Sequence, residues 1–288
     1  MSAHANPLDP IVDRVDGASM DPGPPGSDAE TRRWWGNHFG EMRCQAELAR
    51  LLVDPVYRGE GVTRGDGAPV VLMPGLFAGD GSLSVMANWL RRMGYDAHGA
   101  GILANVDCSD RALDRLEHRI ARIRSSTGRK VALIGHSRGG HFAKALGNRH
   151  PDWFSTAISM GSGLDTPYDV SVPLKGVLTL ARGVMARTSD RVERNGCFTE
   201  TCTCRYTSDF TADFPAHVPF TSIYSKGDGV VWWEACTAEW ADNVEVTGSH
   251  VGLAFNRKVY RAVADVLARD TLAEVSRART PREPRQAA

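Results

Sequence analysis

The stretch Val131-Ala132-Leu133-Ile134-Gly135-His136-Ser137-Arg138-Gly139-Gly140-His141 passes from an apolar run, through a turn with glycine on both sides of a serine, into a segment of helical character. Lys130–Ile134 reads as a buried strand and Arg138–His150 as a helix, so Gly135-His136-Ser137-Arg138-Gly139 matches G-x-S-x-G in a strand-to-helix context. A turn this tight forces its central residue into a strained backbone, and its flanks must lack side chains where strand and helix approach. The serine hydroxyl then stands at a helix N-terminus, where free N–H groups and the helix dipole favour developing negative charge. Ser137 is the expected nucleophile.

Outward from this turn, strands and helices alternate. Pro69–Met73, Tyr95–His98, Ser155–Met160, Phe220–Tyr224 and Val244–Val246 read as further strands. The helices between them are Ser82–Met93, Ser109–Ser126 (capped by Ser109 and stopped at Gly128), a segment after Trp232, and Asn256 to about Ala268. A first helix, Thr31–Val53, ends at Asp54-Pro55, because a residue before proline is pushed out of the α region. Strands separated by helices imply βαβ units and an α/β fold with a mostly parallel sheet covered on both faces. Residues 1–30, rich in Pro, Gly, Asp and Ser, are expected to form a disordered tail. Residues 31–272 form the domain, and 273–288 a flexible end.

A serine hydroxyl needs a base to take its proton. Of nine histidines, only His217 and His250 come late enough for the chain order Ser…Asp…His. His250 lies in Thr247-Gly248-Ser249-His250-Val251-Gly252, just past the last strand, whereas His217 precedes a strand and belongs at the opposite edge. His136 sits in the turn itself, with its side chain expected to point elsewhere. Asp228, in the glycine-flanked turn after Phe220–Tyr224, is the expected acid that orients His250, and Asp165 is the competitor. The oxyanion needs two donors: the amide of Arg138, and one from Met73-Pro74-Gly75-Leu76-Phe77-Ala78-Gly79, with Leu76 first choice and Phe77 second.

Together these segments resemble the α/β-hydrolase superfamily from about Pro69 to Ala268, through Pro74-Gly75-Leu76, the Gly-His-Ser-Arg-Gly-Gly turn, Ser-Lys-Gly-Asp-Gly around Asp228 and Gly-Ser-His around His250. More narrowly, the chain is similar to bacterial lipase- and esterase-like members whose oxyanion loop begins Pro-Gly. That resemblance implies ester or thioester substrates, an acyl-enzyme, and no metal or organic cofactor. Acyltransferase or thioesterase activity on the same three residues is the alternative, and a non-catalytic ligand-binding protein is a more distant one. Serine in the turn departs from the epoxide-hydrolase and dehalogenase branches, which carry aspartate there. Arg138 departs from the small or apolar residue frequent after the nucleophile, so its side chain could bring a charge near the leaving group.

The alternation breaks at 164–216, where relatives insert a cap or lid. Leu174–Met185 is its one expected helix, with an apolar side suited either to covering the acyl pocket or to packing on the core. Cys197-x4-Cys202-x-Cys204, with Cys236 downstream, lacks the C-x2-C knuckle of a regular zinc site, so free thiols are expected over a metal or a disulfide to Cys236. Cys44 and Cys108 read as small buried hydrophobes. Lys+Arg and Asp+Glu balance at 34 each in 288 residues, so no net field attracts nucleic acid. Met1-Ser2-Ala3-His4-Ala5 opens no secretory signal, and no run of about 18 apolar residues appears. A cytoplasmic location is therefore expected, and the resemblance implies a small-molecule acyl ester or lipid-like substrate.

Overall fold

The computed structural model describes residues 39–166 and 202–279, with the isolated positions 176, 179, 180, 182, 183 and 197. Helix α1 (Cys44–Val53) follows a 3-10 turn, Phe39–Arg43. Then come β1 (Pro69–Met73), α2 (Ser84–Arg92), β2 (Asp96–Gly99), α3 (Ser109–Thr127), β3 (Val131–His136), α4 (Arg138–Arg149), β4 (Phe154–Met160), α5 (Arg205–Thr211), β5 (Phe220–Ser225), β6 (Asp242–Val246) and α6 (Arg257–Arg279). The strands form one sheet in the order β2-β1-β3-β4-β5-β6, and every pairing is parallel.

The central strands are apolar because helices cover both faces. All five residues of β1 and all six of β3 are buried, as strands covered on both sides require. Alternation divides their side chains between two layers. Val71, Met73, Val131 and Leu133 face α3 and α4, while Val70, Leu72, Ala132 and Ile134 pack with Leu51, Trp89, Leu90, Tyr260 and Val263. β1 is followed along the chain by a strand on one side of it and then by β3 on the other. The carboxyl ends of β1 and β3 therefore bound the crevice where the order reverses, the general location for ligands in open α/β sheets.

Several boundaries differ from the sequence expectation. The cap position of α3 is Cys108, without a side-chain cap bond, and Ser109 instead accepts a hydrogen bond from Arg138 at 3.1 Å. The expected helix after Trp232 is only the turn Glu234–Cys236. There Asn243 accepts from the Ala238 amide at 3.2 Å and donates to its carbonyl at 2.7 Å, holding the chain as a loop. α6 runs to Arg279 instead of ending near Ala268, because Leu272, Ala273, Glu274 and Arg277 continue a sequence of good helix formers. The expected tail over 1–30 and most of Leu174–Met185 lie outside the described residues. From the inserted stretch, α5 packs on α4: Phe210 meets His141 at 5.3 Å and Tyr206 meets Phe142 at 6.1 Å between ring centroids.

Candidate active site

At the crevice between β1 and β3 the backbone turns sharply twice. Ser137 has φ 52° and ψ −122°, and Phe77 has φ 60°. Among the described residues these are the two non-glycine positions with positive φ, and both line one cavity of about 210 Å³. Strain of this kind persists only where surrounding structure over-determines it. At Ser137 the cause is visible: a β-carbon on Gly135 would strike the Gly139 carbonyl, and one on Gly139 would strike the Met73 carbonyl. Strand and helix can approach this closely only with glycine at both positions.

The same cavity is lined by Gly75, Leu76, His136, Val230, His250, Val251, Ala254 and Phe255, so residues far apart in the chain meet over the carboxyl edge of the sheet. Asp228 and His250 are paired. Nδ1–H of His250 donates to Asp228 Oδ2 at 2.6 Å, and both side chains are buried. The other carboxylate oxygen, Oδ1, accepts from the amides of Val230 and Val231, each at 2.8 Å. With Nδ1 committed as donor, Nε2 of His250 is left as the basic nitrogen. Asp165 is exposed at the surface, and His217 is exposed and 4.0 Å from Asp152; neither joins this group.

Gly161 (φ 60°), at the end of β4, permits the pair. A β-carbon there would lie 3.0 Å from Asp228 Oδ2 and 3.1 Å from His250 Nδ1, tighter than ordinary contact.

His136 departs from expectation. Its ring stacks obliquely on His250, 5.0 Å between centroids, and Nε2–H donates to the His250 carbonyl at 2.9 Å. It lines the cavity instead of pointing away. Burial, reinforced by the nearby His250, pushes its pKa down to about 4, so it is neutral above that pH. For His250 itself, burial disfavours the charge, but the Asp228 carboxylate and the field of Glu41 outweigh it and raise the pKa above its ordinary value.

The Arg138 side chain also departs from expectation. It is buried and reaches away from the cavity, donating to the Asn105 carbonyl and Oδ1, each at 2.8 Å, and to the Asp107 carbonyl at 2.7 Å. Asn105 in turn donates through Nδ2 to the Pro74 carbonyl at 2.8 Å and through its amide to the Ala78 carbonyl at 2.9 Å. The guanidinium thus braces both ends of the Pro74–Ala78 loop instead of placing charge near a leaving group.

Two carboxylates before β1 escaped the sequence reading. Glu41 accepts from the amides of Gly229 (3.1 Å), His250 (2.8 Å) and Val251 (2.9 Å), bridging the loops that carry Asp228 and His250. Glu47 accepts from Ser249 through its amide at 3.0 Å and its hydroxyl at 2.8 Å. Nothing local marks them, because their partners lie about 200 residues downstream. The only available hint was a pair of carboxylates in an otherwise amphipathic helical stretch.

Residues 110–265, more than half of the chain, match the model of a family described as "Putative esterase". The matched segment contains Ser137, Asp228 and His250 and begins after the Pro74–Ala78 loop. No curated protein matches significantly. Among solved structures, a lipase of Bacillus licheniformis in its propeptide form is similar with a TM-score of 0.51 and 16% identity, covering 71% of this chain and 51% of that one. A monoacylglycerol lipase of Paleococcus ferrophilus gives 0.49 and 14%, covering 71% of this chain and 96% of that one. At such identities structural likeness speaks for the fold alone, here the α/β-hydrolase fold. On the family match, this chain is a member of that esterase family, an ester-hydrolysing enzyme built on the α/β-hydrolase fold.

Proposed function

We propose that the chain cleaves carboxylic esters through Ser137 as nucleophile, His250 as general base and Asp228 as the group that orients and stabilises the imidazole. The observation that carries this reading is the cavity shared by the strained Ser137 turn and a histidine already bonded to a buried carboxylate. In the proposed reaction the Ser137 hydroxyl attacks the ester carbonyl while Nε2 of His250 takes its proton. The tetrahedral oxyanion is held by amides, that of Arg138 from the N-terminus of α4 and that of Leu76 or Phe77 from the opposing loop. Among the described bonds the Pro74–Ala78 loop closes through Ala78 N–H to the Gly75 carbonyl at 3.2 Å, which leaves the Leu76 and Phe77 amides for this use. His250 returns the proton to the departing alcohol, an acyl-enzyme remains, and water activated by the same imidazole releases the acid.

Apart from Ser82, the remaining lining is apolar, from Phe77, Ala78, Val230, Val251, Ala254 and Phe255, which suits a hydrocarbon acyl or alcohol group over a charged one. A fluorophosphonate probe is expected to label the wild-type chain at Ser137, and nitrophenyl esters of graded chain length to be hydrolysed. Absence of labelling would overturn the reading. Product analysis with added alcohol separates hydrolysis from acyl transfer.

The Glu41 contacts give a further expected result. Its charge helps hold the His250 pKa up, and His250 acts only when neutral, so the acid limb of kcat/KM falls where the raised pKa is crossed. Glu41→Gln removes that charge and turns an amide N–H toward a backbone donor. The acid limb should move to lower pH while kcat at its plateau drops about tenfold. A pH profile that keeps its acid limb in place would show that Glu41 serves packing alone.

A further inference from the structure

We propose that Cys108, Cys197, Cys202 and Cys204 bind one zinc ion as four thiolates, forming a structural site apart from the catalytic cavity. Cys108 stands at the N-terminus of α3, and the other three come from the inserted segment that ends at α5. The sulfurs of Cys108 and Cys204, 96 residues apart in sequence, approach to 3.5 Å, and those of Cys197 and Cys204 also to 3.5 Å. The Cys108, Cys197 and Cys204 sulfurs all lie within 4.8 Å of one another, and Cys202, buried two residues before Cys204, is the remaining thiol of the same segment. A tetrahedral zinc with Zn–S bonds of about 2.3 Å sets its sulfurs about 3.8 Å apart, so three sulfurs already stand near ligand spacing and Cys202 would turn in as the fourth.

All four cysteines are buried and none is in a disulfide. Singly, a buried cysteine is an ordinary small hydrophobe. Three converging from two distant parts of the chain, with a fourth buried two residues from one of them, form a soft donor set, which selects zinc over the oxygen-seeking calcium or magnesium.

A second observation concerns charge. Zinc(II) with four thiolates carries a net charge of −2, and binding releases the four thiol protons. Buried in an apolar core, such a dianion needs a nearby cation. Arg138 supplies one: its guanidinium donates to the Asp107 carbonyl and Ser109 Oγ, on either side of Cys108, with Cys108 and Cys197 within its electrostatic reach. This gives the unusual arginine after the nucleophile a second role, compensating the cluster while bracing the Pro74–Ala78 loop. Cys236, which the sequence offered as a partner, lies elsewhere, its thiol directed at the Trp232 carbonyl at 3.6 Å.

Zinc binding at these thiols is independent of the esterase chemistry, and so is its test. The full chain, purified without chelator, is expected to carry about one zinc by elemental analysis, with a first shell of four sulfurs at about 2.3 Å by X-ray absorption. Cys108→Ser and Cys204→Ser should each lower zinc content at least fivefold, whereas Cys44→Ser and Cys236→Ser should leave it unchanged. If the first pair fails to fold, cobalt exchanged into the wild-type chain decides, since tetrahedral thiolate ligation gives intense charge-transfer absorption. A metal-free chain whose thiols titrate freely, or are paired in disulfides, would overturn the site. Iron in equal stoichiometry would overturn the choice of metal.

Discussion

Ser137→Ala is expected to lower kcat for ester hydrolysis by about a millionfold and to abolish fluorophosphonate labelling, with the fold intact. The hydroxyl is removed from a residue whose backbone is fixed by others: the Ser137 amide donates to the Met160 carbonyl, and its carbonyl accepts from the Gly140 amide, both at 2.8 Å. Alanine preserves those bonds and the left-handed turn, so the thermal midpoint should move by only a few degrees. His250→Ala should cost nearly as much. The double variant should be little worse than either single one, because in the proposed mechanism nucleophile and base act as a unit and the residual rate comes from the oxyanion donors and binding. A Ser137→Ala enzyme within tenfold of wild type would refute the assignment.

Asp228→Asn should lower kcat about ten-thousandfold, and its reason lies in bond directions more than in charge. One carboxylate oxygen is held by two backbone donors, Val230 and Val231, and the other receives His250 Nδ1–H. An asparagine must keep its carbonyl oxygen on the two amides, since turning its NH2 toward them would set donor against donor. The NH2 then faces Nδ1, which must become an acceptor, and the ring proton moves to Nε2. That tautomer presents an N–H to Ser137 where a lone pair is required. Loss of the negative charge also removes the partner of the imidazolium formed during the reaction. NMR of the imidazole nitrogens checks the tautomer directly: a variant that loses activity while retaining Nδ1–H would fail this account.

The fold was legible because buried parallel strands cannot hide. Pro69–Met73 is read at its observed boundaries, and the Ser137 turn is identified by glycines whose absence would drive backbone into backbone. The meeting of His250 with Asp228 was legible for a related reason, since strand ends deliver loops to one edge. What the sequence could not convey was mediated by contacts between distant segments. Glu41 and Glu47 look like the polar face of a helix until their amide partners are known. Arg138 looks like a charge beside the reaction until Asn105 is found to receive it. Cys108 looks like a lone hydrophobe until the sulfurs of Cys197 and Cys204 arrive from the inserted segment. Helix ends were misjudged where ordinary helix formers carried α6 onward or where one asparagine organised a loop.

The carboxylate bridge from Glu41 bears on where this enzyme can be cut. A fragment beginning at Pro69 would retain all six strands, Ser137, Asp228 and His250, and would satisfy any inventory of reacting groups. It would nevertheless lack the brace that ties the acid's loop to the base's loop through the amides of Gly229, His250 and Val251. Those three donors would turn to solvent, and the imidazole would wander relative to the hydroxyl. The same cut would strip Leu51 and Val56 from the core beneath β1, so the segment before Pro69 serves the folding unit and the working unit alike.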